Sequence, residues 1–234
     1  MYRSLRTSLS RNRWEAGNVS DRRSLAIASF LVAAGPIAFI AIFGSWAGAG
    51  LSQTDAADPR VAMPFLRAHP AMLVAPTLNS LVMHVAAIVL ALGLLAGLRD
   101  RSPLIATAGA LFGVSWGFLD IAQSLVTYNA VIGPVAGDAA AIDTVTKGLQ
   151  NAAHFGGGLW TLSIAATAAG VFGGAHRVFG VVTGTVFALH ALVVPAMPQW
   201  FYLEFVMLPI WFAWTGIALL RSRVPELSVR PLPA

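Results

Sequence analysis

Six ionisable or amide side chains interrupt long apolar stretches of this sequence, and they are its best candidates for chemistry. Placing such groups in hydrocarbon costs several kcal/mol, so they usually face a protein interior or a cavity. A carboxyl group in an apolar setting can keep its proton and act as a general acid, and a neighbouring imidazole can accept or polarise. The six residues are His84, Asp120, Gln123, His154, His190 and Glu204.

Helical spacing places an aromatic ring beside each candidate carboxyl group. Residues three, four or seven positions apart share a helix face. Trp116 therefore aligns with Asp120, and Trp211 with Glu204. The residues predicted to contact a substrate are Trp116, Gln123, Phe187 and Trp211.

These residues predict an aromatic-walled pocket that opens toward the outer side of a membrane. Asp120 is the predicted general acid and Glu204 the second acid/base group, while indole faces would stabilise a developing cation. The predicted polarising groups are His84, His154 and His190. Simpler interpretations stand beside these: the histidines could serve only as structural hydrogen-bonding groups, Glu204 could sit in headgroup water, and the indoles could serve only as packing.

The sequence predicts neither a metal site nor another cofactor. It contains no cysteine, which excludes thiolate ligands and cysteine nucleophiles. Its histidines and carboxylates could in principle bind Zn, Fe or Cu, but HxxxH, HExxH and HxxE spacings are absent and every ligand would come from a different helix. Haem ligation by paired histidines is similarly unsupported, and a retinal Schiff base is excluded because Lys147 lies in a predicted outer loop.

Hydropathy predicts an all-α membrane protein with about six transmembrane helices. Of the 234 residues, 57% are hydrophobic and 11% are charged, whereas soluble domains carry roughly 25% charged residues. Apolar runs of about 20 residues are long enough to cross the hydrocarbon core of a bilayer. The predicted spans are 24–47, 71–98, 103–129, 151–174, 178–197 and 200–220, within a transmembrane domain of residues 24–221.

The distribution of basic residues predicts that both termini are cytoplasmic. With the N-terminus inside, twelve of the fifteen Lys and Arg residues fall on the cytoplasmic side, as the positive-inside rule requires. The other three fall in the predicted outer loops, 48–70 and 130–150. Residues 1–23 and 222–234 are then cytoplasmic tails, and the net charge of +5 reflects topology and not nucleic-acid binding. The three outer basic residues are Arg60, Arg67 and Lys147.

Glycines recur every four residues on two of the predicted spans. Such stripes let helix backbones approach closely. The sequence therefore predicts tight packing along these faces, chiefly within the chain. The stripes are Gly109, Gly113 and Gly117, and Gly180 and Gly184.

Three short segments mark a recognisable arrangement in the second half of the chain: Gln150-Asn151-Ala152-Ala153-His154, Gly158-Leu159-Trp160 and His176-Arg177-Val178-Phe179-Gly180. In this arrangement an apolar span is followed by a basic turn and a next span led by glycine. It resembles six-span integral membrane families of bacteria whose function is unknown. The resemblance covers roughly the C-terminal two thirds of the chain; it implies a bacterial plasma membrane and no activity.

Three functions stay open on the sequence. The first is an acid/base enzyme, such as a cyclase or isomerase, acting on a lipophilic, isoprenoid- or lipid-like substrate. Small multi-span terpene cyclases are similar in size and in acid-plus-aromatic content, although none of their motifs is present. The second is an accessory or assembly subunit, and the third is a proton-coupled carrier, against which the apolar inner half of the predicted bundle counts. The predicted partners are membrane lipids, a lipophilic small molecule and a homo- or hetero-oligomeric neighbour.

Overall fold

The chain folds as a bundle of α-helices. The computed structural model describes residues 18–99, 102–133, 138–168, 172–194, 196–197 and 200–221, and these residues form nine helices and no strand. The helices are α1 (Asn18–Gly48), α2 (Gln53–Ala57), α3 (Pro59–Ala68), α4 (Ala71–Leu98), α5 (Pro103–Ile132), α6 (Ala139–Thr167), α7 (Gly174–Ala188), α8 (His190–Val193) and α9 (Trp200–Arg221).

Four of these helices, α1, α4, α5 and α9, are long and apolar enough to cross a membrane. Their apolar stretches contain 22 to 30 residues, and about 20 suffice to cross the hydrocarbon core. Large apolar side chains also point outward: Leu104 is 81% exposed and Leu111 is 65% exposed. Extensive outward apolar surface is typical of lipid contact. The fold is an α-helical bundle with four candidate membrane-spanning helices.

Six helices close into a ring in which neighbours in the chain are largely neighbours in space. In order around the ring, α1 packs on α4, α4 on α5, α5 on α6, α6 on α7, α7 on α9, and α9 returns to α1. Large aromatic side chains that are at most 2% exposed fill the centre of this ring. They are Trp116, Trp160, Phe187, Trp211 and Phe212.

Two helices differ from the predicted spans in their bounds. The fourth predicted span, 151–174, overlaps α6 but extends past its end at Thr167. Helix α6 begins earlier than predicted, at Ala139, because the Asp138 carboxylate accepts a hydrogen bond from the Ala140 N–H and caps the helix. The predicted outer loop 130–150 is therefore largely helical. The fifth predicted span, 178–197, is divided between α7 and the single turn α8, with the break at Leu189.

The predicted outer loop 48–70 also contains helices. The Ser52 hydroxyl caps α2, and the Asp58 carboxylate caps α3 by accepting from the Arg60 N–H. Helix α3 buries Met63 and Leu66 against the ends of the longer helices, so the loop is packed. Of the two predicted tails, residues 18–23 belong to α1, whereas residues 1–17 and 222–234 lie outside the described part of the chain.

The glycine stripes are covered inside the bundle. A Cβ atom on Gly113 would lie 2.7 Å from the Trp160 ring of α6 and 2.8 Å from Ala91 of α4. A Cβ atom on Gly158 would collide with the backbone of Ala188, so only glycine lets α6 and α7 approach this closely. The predicted tight packing within the chain is confirmed, and it sets the distances between the helices that carry the polar residues.

Candidate functional site

Glu204 lies between two histidines near the end of the ring where α7 ends and α9 begins. Its Oε1 atom is 2.7 Å from Nδ1 of His190, and its Oε2 atom is 3.1 Å from Nδ1 of His154. The two imidazole rings are 4.0 Å apart between centroids, at an angle of 66°. Glu204 is 2% exposed and His190 is 3% exposed. Three predicted site residues, from α6, α8 and α9, therefore meet in one buried group, here called the glutamate cluster.

The two contacts of Glu204 differ in kind. Oε1 and the His190 ring form a hydrogen bond. Oε2 and Nδ1 of His154 lie within contact distance but are not aligned as a hydrogen bond, and both atoms are buried without another hydrogen-bonding partner. His154 is also the most accessible member, since its side chain is 12% exposed. One side of the glutamate cluster thus has bonding capacity that the surrounding described residues do not use.

The glutamate cluster depends on the close approach of α6 and α7. His154 is followed one turn later by consecutive glycines, and a Cβ atom on Gly157 would collide with the Phe187 ring. Because glycine leaves that space free, Phe187 packs beside the His154 imidazole, with ring centroids 4.6 Å apart. The chain then turns at Leu189 into α8, which begins with His190. The sequence of α6 therefore sets where the two histidines can meet.

A second buried pair, here called the aspartate pair, joins α4 to α5. Nε2 of His84 lies 2.9 Å from Oδ2 of Asp120, and the two residues are 3% and 5% exposed. The other ring nitrogen, Nδ1, lies 2.8 Å from the backbone carbonyl oxygen of Ser80. The Ser124 hydroxyl donates to the Ser80 hydroxyl at 2.6 Å and links α5 to α4 a second time. Asp120 and His84, both predicted site residues, are therefore partners.

The contacts of His84 allow more than one position of its ring hydrogen. Nδ1 lies 2.8 Å from the Ser80 carbonyl oxygen, which can only accept, and 3.1 Å from the Ser80 hydroxyl, which can also donate. Nε2 faces Oδ2 of Asp120 at 2.9 Å but is not aligned with it as a hydrogen bond. The aspartate pair therefore brings a ring nitrogen and a carboxyl oxygen within reach of each other in a buried setting.

Aromatic rings separate the aspartate pair from the glutamate cluster. Trp116 meets the His84 ring edge-on at 5.4 Å, and it meets Phe187 edge-on at 5.5 Å. Phe187 in turn packs on His154. Trp116 and Phe187 are here called the aromatic wall. The predicted residues thus form two polar groups on either side of this wall.

Two cavities in the described part of the bundle lie away from both groups. An apolar groove of about 440 Å³ runs between α1 and α4, beside Leu31 and Val85. A much smaller space of about 10 Å³ lies between α4, α5 and α6, beside Leu94 and Trp160. Neither is lined by the aspartate pair or the glutamate cluster, so the predicted outward-opening pocket stays a prediction.

Two of the predicted substrate-contacting residues lie apart from the polar groups. Gln123 is partly buried on α5, and its described contact is a backbone carbonyl that accepts from Thr127. Trp211 is fully buried, but its ring packs on His176 at 5.4 Å and on Phe212 at 4.9 Å. Shared helix faces align these residues with carboxyl groups, but Trp211 packs on His176 of α7, and the described hydrogen bond of Gln123 lies within α5.

His176 is a buried polar residue that sequence reasoning does not find. Its position beside Arg177 is typical of a basic turn, yet it lies in the first turn of α7 and is 1% exposed. Its Nε2 atom is 2.8 Å from the Thr215 hydroxyl, which donates to the Trp211 carbonyl. The feature of the sequence that could have indicated a buried residue here is the spacing of Trp211 and Trp214 on α9. The end of the bundle expected to be apolar therefore holds a polar pair.

Comparison with known proteins adds no family assignment: no family model matches the chain, and no significant match is found among curated proteins or solved structures.

Proposed function

We propose that the chain crosses a bacterial plasma membrane six times, with both termini on the cytoplasmic side. Four helices have the length and hydropathy of spans, and α6 together with the α7–α8 pair completes the same ring. Residues 174–193 make about 30 Å of helix at 1.5 Å per residue, which matches the hydrocarbon core. The positive-inside distribution of Lys and Arg supports this orientation.

Within this bundle the best-supported function is acid/base catalysis on a lipophilic, isoprenoid- or lipid-like substrate. The observation that carries it is the contact of 2.9 Å between His84 and Asp120, which are both buried and close enough for a proton to pass between them. A proton held in an apolar interior beside an indole is suited to attack on an electron-rich double bond. The substrate needs no charged group, because an apolar molecule can enter sideways from the lipid.

The proposed chemistry is the isomerisation of a double bond, or a cyclisation in which a second double bond of the same molecule attacks the cation, forming the ring bond from its electron pair, before a proton is lost. Asp120 gives its proton to one carbon of a double bond, and the electron pair of that bond forms the new C–H bond. The cation left on the other carbon is stabilised by the face of Trp116. Loss of a proton from a neighbouring carbon to the aspartate pair regenerates Asp120 and gives a product with the same formula. His84 polarises the carboxyl group throughout.

The remaining site residues take supporting roles in this proposal. Glu204 is the second group that holds or accepts a proton, and His154 and His190 orient its two oxygens. Phe187 extends the apolar face of Trp116 toward the glutamate cluster. Gln123 and Trp211 keep the substrate-binding role that their helix faces predict. They would contact parts of the substrate farther from the site of proton transfer.

Deuterium uptake from the solvent tests the function without knowledge of the substrate. Purified protein in D₂O is incubated with vesicles made from an isoprenoid-rich bacterial lipid extract, and mass spectrometry measures the deuterium in each lipid. A protonation followed by loss of another proton leaves one solvent deuteron in the product. We expect incorporation with the native chain and with Asp143→Asn, a control on an exposed helix turn. Asp120→Asn should reduce incorporation at least 100-fold, since one general acid contributes about 10²–10⁴ in rate.

Absence of incorporation with the native chain, or equal incorporation with Asp120→Asn, would contradict acid/base catalysis. Lipid extracts from cells of a second bacterial group provide a further source of substrate. Helical content and thermal unfolding of Asp120→Asn are measured in parallel, so that loss of folding is recognised.

A proton-coupled carrier is the second candidate, and one observation favours it. His176 and Thr215 place a buried polar pair toward the opposite end of the bundle from the glutamate cluster. This pair weakens the objection that the inner half of the bundle holds no polar group along a path for a proton. Proton uptake into liposomes, driven by a candidate solute gradient and reported by an internal pH dye, separates a carrier from an enzyme.

The accessory-subunit alternative loses its main support. The glycine stripes of an accessory subunit would be free to dock a partner, but Gly113 and Gly117 are covered by α4 and α6 of the same chain. Polar residues that only hold helices together would also give no deuterium incorporation.

A further inference from the structure

We propose that Glu204, His154 and His190 bind one divalent transition-metal ion of the class of zinc or iron(II). The residues come from three helices, and one possible ligand atom from each lies within 4.8 Å of the others. Two imidazoles and one carboxylate are the ligand set of catalytic zinc sites and of the facial triads that hold iron(II). This inference goes beyond the acid/base function, which rests on the aspartate pair.

The observed distances are close to those of a coordinated ion. Ligand atoms at about 2.1 Å from one metal are separated by about 3.0 Å at a right angle and about 3.4 Å in a tetrahedron. The carboxylate oxygens of Glu204 lie 2.7 Å and 3.1 Å from the two Nδ1 atoms. All three possible ligand atoms lie within 4.8 Å of one another, so side-chain movements of about an ångström would bring them to the separations of a coordinated ion.

The charge balance of the interior also favours a cation at this place. Glu204 is 2% exposed, and an ionised carboxylate in an apolar interior requires a positive partner. Among the described residues no Lys or Arg side chain is buried, so this part of the protein supplies no permanent positive charge there. The counter-charge is either a proton on the cluster or a metal ion.

The unused bonding capacity of the cluster points in the same direction. Oε2 of Glu204 and Nδ1 of His154 are buried, face each other at 3.1 Å and form no aligned hydrogen bond. Both atoms carry lone pairs that a metal ion could accept when the histidine is neutral. The 12% exposure of His154 marks the side from which an ion could enter.

A metal held by three protein ligands keeps open coordination positions. The metal could polarise an oxygen atom of a bound small molecule or lower the pKa of a bound water molecule. Metal binding would replace the proton-holding role of Glu204 and leave the aspartate pair unchanged. Absence of deuterium incorporation with the native chain and absence of metal binding are therefore independent results.

Metal titration of the full chain tests the site directly. The protein is purified in detergent with a tag that contains no histidine, stripped with a chelator, and titrated with Zn²⁺ or Co²⁺ alone. We expect one ion per chain by elemental analysis, a visible Co²⁺ spectrum of low-symmetry nitrogen and oxygen ligands, and a rise of the unfolding midpoint with metal concentration. Glu204→Gln, which keeps the shape of the side chain, should weaken binding at least 100-fold.

Matched variants separate this site from general effects. His84→Gln and His176→Gln each remove a buried imidazole elsewhere in the bundle and should keep one ion per chain. His154→Gln and His190→Gln should each lose the Co²⁺ spectrum. If Glu204→Gln does not fold, His154→Gln, which removes the most exposed member, carries the test. Absence of a bound ion in the native chain, or an unchanged affinity in the folded variants of the cluster, would overturn the metal site.

Discussion

Oε1 of Glu204 lies 2.7 Å from Nδ1 of His190, although the two residues belong to different helices and are 14 positions apart in the sequence. The contact ties the start of α9 to the turn that follows α7. It also orients the carboxylate so that its other oxygen faces His154 on α6. One side chain thus connects three helices of the ring, and its replacement should affect both stability and chemistry.

Replacement of Glu204 by alanine should strongly destabilise the bundle. The change leaves His190 and His154 buried without their carboxylate partner, and each buried polar group left without a partner costs about 1–3 kcal/mol. Glu204→Gln retains an oxygen acceptor and should cost less than half as much. Unfolding in mixed micelles with increasing SDS, followed by circular dichroism, measures the difference. The control is Asp143→Ala, whose exposed pair with Lys147 is worth about 0.5 kcal/mol or less. Equal losses for Glu204→Ala and Asp143→Ala would show that Glu204 does not connect the helices.

Alanine at position 158 should separate α6 from α7. Its Cβ atom would meet the backbone of Ala188, which cannot rotate away, and overpacking of this kind costs about 1–3 kcal/mol. Gly148 lies on the same helix, and a Cβ atom added there would have open space within 4 Å, so Gly148→Ala should stabilise by about 0.5–1 kcal/mol. The two variants are compared by their unfolding midpoints. A destabilised Gly148→Ala with an unchanged Gly158→Ala would reverse the predicted order.

Thr215→Val should show how much the contact between Thr215 and His176 contributes to the stability of the fold. The substitution keeps the side-chain volume but removes the hydroxyl that lies 2.8 Å from the His176 ring. A buried polar atom left without a partner costs about 1–3 kcal/mol. Thr144→Val is the matched control, because that hydroxyl is exposed and bonds within its own helix. Thermal unfolding in detergent should separate the two; similar midpoints would indicate that His176 finds another partner.

The orientation in the membrane can be measured with single cysteines, since the native chain has none. Six spans with a cytoplasmic N-terminus place exposed positions 52 and 144 outside and exposed position 175 inside. An impermeant maleimide added to intact cells should label Ser52→Cys and Thr144→Cys. Ala175→Cys should react only after the membrane is opened. Labelling of Ala175→Cys in intact cells would rule out this topology.

Much of the architecture follows from side-chain solvation alone. Apolar runs such as 71–98 must leave water, and the structure has helices of matching bounds there. The cost of placing a carboxylate in hydrocarbon likewise predicts that Asp120 and Glu204 turn inward, and both are buried. Hydropathy does not find the start of α6 because residues 139–150 are too polar to register as an apolar run, while a capping carboxylate and intrahelical hydrogen bonds still make them helical.

The amino-acid sequence by itself determined which long apolar segments form helices and that carboxyl groups such as Asp120 must avoid lipid, because these depend on local spacing and on transfer from water. Only the tertiary structure decided that Asp120 pairs with His84, that Glu204 joins His154 to His190, and that an aromatic wall separates the two groups. These choices depend on how closely the helices pack, and that distance is set between residues far apart in the chain. His176 shows the same limit: beside Arg177 it resembles part of a basic turn, and its burial follows from Thr215, which another helix supplies.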